Sequence, residues 1–211
     1  MTYMSVSLAP LTRRQLVLLF IGRLVVNTAF RLVYPLLAFL AAGLAVDLRA
    51  ASLLITVQVA AALLSPLGGR LADMYGELVV MKGGLLLFCL GAGICALVHS
   101  FAPFLLGYSL IGLGTTFYNP SVQAYASART AYARRGQVLG ILELSWALAA
   151  LVGVTGLAKL IEARESWAPA FWVLLGVGLS VCLRRPKRRG WSGTTRRARV
   201  IASRVEPGKN H

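Results

Sequence analysis

The sequence predicts an all-α membrane protein with six transmembrane helices. Three observations carry that expectation. The chain is 57% hydrophobic and only 14% charged, where soluble domains carry about 25% charged residues. Its apolar residues fall into six long runs separated by polar segments. The Lys and Arg residues of those segments collect almost entirely on one side of the predicted spans. With a mean hydropathy of +0.71, a soluble fold of this length could not hide so much apolar surface, and a globular enzyme is not expected.

A hydrocarbon core of ~30 Å is crossed by ~20 mostly apolar residues in a helix. The runs place helices at roughly residues 15–46, 51–72, 79–98, 103–128, 138–160 and 167–183. The first is far longer than a signal-peptide core of ~7–15 residues and contains two arginines, Arg23 and Arg31, so it reads as a retained span. The second runs into a loop holding Arg70, Asp73 and Lys82. The third carries Cys89 and Cys95, and Cys182 lies in the sixth. An odd number of cysteines without metal-ligand spacing reads as free packing thiols. The fourth run ends in a polar, aromatic stretch, Tyr118, Asn119, Pro120, Ser121, Gln123 and Tyr125. Pro120 removes a backbone hydrogen bond there and is expected to kink the helix beside a cavity. The fifth contains Glu143, the one acidic residue well inside a predicted span. Frequent glycines in the spans suit close helix packing.

Cytoplasmic loops retain Lys and Arg. One side of the predicted topology holds seventeen of them, including Arg13, Arg14, Arg129, Arg134 and Arg135, against three on the other side, Arg49, Lys159 and Arg164. The expectation is an integral plasma (inner) membrane protein with a cytoplasmic N-terminus (residues 1–14), a six-helix bundle (residues 15–183) and a cytoplasmic C-terminal tail (residues 184–211). The net charge of +15 then follows from this bias and from the basic tail. The tail has no apolar run and is expected to be disordered. It reads as a solvated flank, or as a segment attracted to anionic lipid at ~1 kcal/mol per basic residue. Nucleic acid is not needed to explain the charge. No cofactor is expected, and two histidines, His99 and His211, support neither a metal site nor a Ser–His dyad.

Function is therefore sought among polar residues inside the bilayer. Arg23, Asn27 and Arg31 recur every four residues, which places them on one slowly drifting stripe of a helix with 3.6 residues per turn. A charge near the bilayer centre costs ~2.5–3.5 kcal/mol by insertion scales, so the stripe should face the bundle interior or a wet cavity, with snorkelling as the alternative for Arg23. Counted from the starts of their helices, Arg23 and Glu143 differ in depth by only ~3 Å. They are expected to pair, either as a structural element or as part of a coupling device. Arg31 has no acidic partner at its depth. Its neutral candidates are Gln58, Asn119, Gln123 and nearby tyrosines. It suits either an anionic substrate group or a proton-linked switch, or else an arginine satisfied by carbonyls and water.

The loop after the second run reads Gly69-Arg-Leu-Ala-Asp73-Met-Tyr-Gly76-Glu-Leu-Val-Val-Met-Lys82. It resembles the signature loop of the major facilitator superfamily, G-x-x-x-D-R/K-x-G-R/K-R/K. Gly69, Asp73 and Gly76 match, while Met74, Glu77 and Leu78 stand where basic residues are usual. Gly112, Gly114 and Pro120 resemble the family pattern in the fourth helix, with Tyr108 in place of its usual intramembrane arginine. Arg135-Gly136-Gln-Val-Leu-Gly140, followed by Glu143-Leu-Ser-Trp146, resembles the start of the fifth helix in bacterial efflux-type members. The Gly-Pro motif of antiporters is absent from Gly153-Val-Thr-Gly156.

The resemblance covers about residues 16–183 and implies one six-helix half of a facilitator-type transporter, built as a 3+3 inverted repeat. It also implies a small-molecule solute as partner, with Asn27, Arg31, Tyr34, Tyr118, Asn119 and Gln123 as contacts. Arg23, Glu143, Gly69, Asp73 and Gly76 would couple and gate. In the family the signature-loop carboxylate meets a helix start of the other half, where a negative charge gains ~0.3–1 kcal/mol. Three functions remain open: a half-length transporter that pairs with itself or with a separate second half, a non-transporting amino-terminal fragment of a disrupted or frameshifted gene, and a membrane interaction module that uses the basic tail.

Overall fold

The computed structural model describes residues 10–184. The expected disordered tail beyond Arg184 and the first nine residues lie outside them. All described elements are helical: α1 (Arg13–Gly43), α2 (Leu48–Ala62), α3 (Ser65–Tyr75), α4 (Glu77–Leu97), α5 (Phe101–Ala128), α6 (Arg135–Leu148), α7 (Thr155–Arg164) and α8 (Ala168–Leu183), with a π-helical segment, Ala149–Val154, joining α6 to α7. These make six passages. In chain order these are α1, the bent pair of α2 and α3, α4, α5 and, as the fifth, the composite Tyr132–Arg164, which begins with a 3-10 turn at Tyr132–Arg134. The sixth, α8, has 16 residues and rises about 24 Å. A span somewhat shorter than the hydrocarbon core is accommodated by local thinning or by snorkelling of flanking residues, and Arg184 flanks this one.

Two expected helices differ from those observed. The run at residues 51–72 is broken into α2 and α3, bent by 45°. Pro66 sits in the first turn of α3. Its ring would clash with the carbonyl of residue 62 and it offers no N–H, and α2 ends at Ala62. The fifth passage is not one uniform α-helix, because it widens into the π segment midway. Pro120, by contrast, leaves α5 a single continuous element.

Local chemistry sets the ends. Thr12 and Gln15 form a reciprocal capping box at the start of α1, with Gln15 N donating to Thr12 Oγ1 at 3.3 Å and Thr12 N donating to Gln15 Oε1 at 2.9 Å. Asp47 accepts from Ala50 N at 3.0 Å to start α2. Between α3 and α4, Gly76 has φ 91 and ψ 147, a region almost closed to residues with a Cβ. Gly76→Ala is expected to lower stability by ~1–3 kcal/mol, read as a fall in the thermal unfolding midpoint of the solubilised protein. An unchanged midpoint would mean that the loop relaxes freely.

The packing follows an exchange of the first three passages with the last three. α1 packs on α6 and the π segment, α5 packs on α2, and α4 lies against α8. The closest approach is α4 on α5, where Gly84 faces Gly114 and Gly91 faces Gly107. A Cβ at Gly114 would stand 2.6 Å from the Gly84 carbonyl oxygen, and one at Gly91 would stand 2.8 Å from Ile111 N. Only backbone against backbone fits there. Phe104 anchors the far end of the core, edge-on to Trp167 and Phe171. At the opposite end Arg129 ties three elements together. Its carbonyl accepts from Leu11 N at 3.1 Å, its guanidinium lies 3.8 Å from the Tyr125 ring centroid, and it pairs with Glu77 at 3.8 Å. The apolar window of α1 is 56% buried, against 17% for the fifth passage, so the fifth passage is peripheral and reaches the core through the face it turns to α1.

Candidate functional site

The polar stripe of α1 meets Glu143 and Trp146 of α6 and Asn119 of α5. Residues 143, 146 and 150 follow the helical step of three and four, as do Arg23, Asn27 and Arg31 on α1. Arg23 is buried and does not snorkel. Its Nη1 donates to Glu143 Oε1 at 2.9 Å, so the pairing expected from depth is present. The two partners sit in different surroundings, with side-chain exposure of 4% for Arg23 and 54% for Glu143. Gln123 Nε2 donates to the same Glu143 oxygen at 2.8 Å. One turn further along α1, Asn119 Nδ2 donates to the fully buried Asn27 Oδ1 at 3.0 Å.

These contacts leave several buried groups without partners among the described residues: Arg23 Nε, Asn27 Nδ2, Asn119 Oδ1 and Arg31 Nε. Buried polar atoms are normally satisfied; four of the six unpartnered ones among the described residues lie here, the other two being Gln58 Oε1 and Trp167 Nε1.

Arg31 departs from its expected surroundings. Gln58 donates instead to the Phe30 carbonyl at 2.8 Å, Asn119 is held by Asn27, and Gln123 is held by Glu143. The partner of Arg31 is Trp146, whose ring centroid lies 4.1 Å from the guanidinium carbon. This is cation–π geometry worth ~0.5–2 kcal/mol. Trp146 is itself braced by Phe30, with ring centroids 5.9 Å apart.

This pair forms one wall of an open cleft of about 410 Å³. α1 supplies Phe30, Arg31, Tyr34 and Pro35; α6 supplies Trp146; the π segment supplies Ala150 and Val154. The π segment seats this wall against α1. Gly153 lies on Thr28, so that a Cβ at 153 would overlap the Thr28 hydroxyl. Single π turns of this kind recur at functional sites in helices, and this one occupies the place where the antiporter Gly-Pro motif is absent.

Of the residues expected to contact a solute, Arg31 and Tyr34 line the cleft. Asn27, Asn119 and Gln123 belong to the adjoining hydrogen-bonded stripe. Tyr118 is buried in the core, with its hydroxyl where a side chain at Gly22 would stand, and it does not line the cleft. In the signature loop Asp73 is exposed, and Gly69 has open space where its Cβ would be. Trp146, Phe30, Pro35, Ala150 and Val154 were not expected as lining residues. The spacing of Trp146 from Glu143, one turn along the same helix, was the available signal for the first of them.

Comparison with known proteins agrees with this architecture. The profile of the Major Facilitator Superfamily matches residues 19–207. The chain is 34% identical over 144 residues to the uncharacterized MFS-type transporter YwfA of Bacillus subtilis, a match covering 66% of this chain and 34% of that one. It is 29% identical over 108 residues to the MFS-type efflux transporter pyiT of Pyricularia grisea, covering 51% of this chain and 18% of that one. It therefore spans about a third or less of the length of these curated relatives. Among solved structures, a peptide transporter POT in complex with sulfate shares the fold with a TM-score of 0.72 at 18% identity, over 92% of this chain and 45% of that one. Because the profile match runs through all six passages rather than resting on the loop motif alone, the chain belongs to the Major Facilitator Superfamily.

Proposed function

We propose that this chain forms one six-helix wall of a secondary transporter that carries a small organic solute across the membrane by alternating access. The observation that carries this reading is the cleft between α1 and the fifth passage, with Arg31 on its wall and the Arg23–Glu143 pair beside it. Intramembrane charges are costly, and they persist where they serve a pathway or a switch. Relatives named as MFS-type transporters, including efflux transporters, support the same reading. Arg31 and Tyr34, with Asn27, Asn119 and Gln123 at the edge, contact the solute, and Tyr118 packs behind them. Arg23 and Glu143 couple solute occupancy to the packing of α1 on α6. A second six-helix bundle closes the cleft, as in the two-half architecture of these folds. The open surface at Gly69 and Asp73 meets it, with Gly76 shaping the loop. The density of Lys and Arg at the end that holds Arg13, Arg129 and Arg135 supports a cytoplasmic placement of that end in the plasma membrane.

The test is solute accumulation in cells that express the chain in place of their own efflux pumps, across a panel of labelled organic solutes. At least one solute is expected to differ from empty-vector cells. Arg31→Gln, present in the membrane at the wild-type level, is expected to lose about tenfold or more of that transport, the effect of removing a charge-assisted hydrogen bond of ~1.5–3 kcal/mol. Equal accumulation with and without the chain across the panel sinks transport by this chain with a second copy of itself as the closing bundle. Unchanged transport in Arg31→Gln removes Arg31 from the site.

A further inference from the structure

We propose that the cleft selects an organic monoanion: a flat, largely apolar molecule carrying one carboxylate, or an anion of similar geometry. This rests on the reading of the cleft as the solute site and names the class of solute. Charge is the first reason. Arg31 is the only ionisable residue with a formal charge in the lining, and no acidic residue is among the lining residues. The nearby carboxylate, Glu143, is already engaged by Arg23 and Gln123 through the same oxygen. Arg23, Glu143 and Arg31 together leave one net positive charge beside the cleft. A cationic solute would meet repulsion there, and a dianion would find only one uncommitted cation.

The second reason is the geometry of Arg31. Its guanidinium lies against the Trp146 ring; its Nε is buried, and its terminal Nη groups, which pair with no acidic residue among the described residues, are the ones left to a ligand. A guanidinium held by its face keeps its in-plane N–H edge for donation. That edge is a rigid fork matched to two carboxylate oxygens. Trp146, itself braced by Phe30, reduces the freedom that Arg31 would otherwise lose on binding.

The remaining lining supplies the rest of the specificity. Phe30, Tyr34, Pro35 and Val154 offer aromatic and aliphatic surface, and 410 Å³ on this wall lies within the ~300–1,000 Å³ of small-molecule sites. A ring system stacked beside Trp146, with its carboxylate turned to Arg31, satisfies both halves of the cleft. A uniformly polar solute such as a sugar would leave the apolar wall without a partner.

The experiment uses the purified full chain and three probes that share one ring system: 2-naphthoate, 2-naphthamide and 2-naphthylmethylammonium, titrated by calorimetry. The expected order is anion, then neutral, then cation, with naphthoate at least about tenfold tighter than the amide, as for a charge-assisted hydrogen bond. Arg31→Gln is expected to bring naphthoate and naphthamide together, Arg31→Lys to keep part of the gap, and Trp146→Ala to weaken all three. Thermal unfolding of each unliganded variant shows that it folds. If the amide or the ammonium binds as well as naphthoate, and Trp146→Ala still weakens it, the anion assignment is overturned while the cleft stands as a solute site. If none of the probes binds, or if binding is indifferent to both Arg31→Gln and Trp146→Ala, the cleft reading falls with it.

Discussion

Replacing Glu143 by leucine is expected to destabilise the bundle by about 3 kcal/mol, and replacing Arg23 by methionine by about 1 kcal/mol or less. The asymmetry comes from where the two charges sit. Removing Glu143 strands a guanidinium whose side chain is only 4% exposed, and breaking a buried pair in this way costs ~3–5 kcal/mol. The low end applies because Glu143 is itself 54% exposed, so the pair is partly screened. Removing Arg23 instead leaves a half-exposed carboxylate that still accepts from Gln123, while methionine fills much of the vacated volume. Denaturation of the solubilised variants measures both. The doubly reversed variant, Arg23→Glu with Glu143→Arg, should regain part of the loss. A double reversal no better than either single reversal would count against the pair as a source of stability. Equal losses for Glu143→Leu and Arg23→Met would count against the asymmetry.

Gly114→Ala and Gly91→Ala should each cost ~1–3 kcal/mol, the usual range for overpacking a filled interface, whereas Gly83→Ala and Gly176→Ala should be neutral or slightly stabilising. The first two glycines face backbone atoms of the opposing helix at 2.6 Å and 2.8 Å from the position of the added methyl. Backbone cannot step aside as the end of a side chain can, so α4 and α5 must separate. Gly83 and Gly176 have nothing within 4 Å of that position. They lie on the same types of helix with the same propensity change, so the contrast isolates packing from helix propensity. Comparing the unfolding midpoints of the four variants under one detergent condition decides the matter, and similar values across all four would refute the close approach of α4 to α5.

Most of the fold was legible because insertion into a bilayer depends on apolar composition summed along the chain. That sum is a one-dimensional property, and it marked all six passages, including the short α8. The Arg23–Glu143 pair was legible for a related reason: depth along a span is also one-dimensional, at 1.5 Å per residue. Pro66 is a partial exception. Its effect on α2 was available from the same stereochemistry applied to Pro120, yet Pro66 interrupts its passage, while α5 continues through Pro120 as one helix.

The partners of Arg31 and the place of Tyr118 were not legible, because they depend on the rotation of each helix about its own axis. A stripe of polar residues says that a face is special, but not which neighbour it meets. The π segment adds a residue to one turn and so resets that rotation midway through the fifth passage, and Gly153 lets α1 seat against it at Thr28. Trp146, one turn from Glu143 in α6, lies against Arg31, and the glutamine and asparagine candidates are drawn to other partners. Composition along the chain thus decided which residues enter the bilayer and how deep the charges lie. Only the packing of helix on helix decided which of those charges is paired and which lines a cleft without an acidic partner, because that choice is made by side chains competing for contacts across an interface.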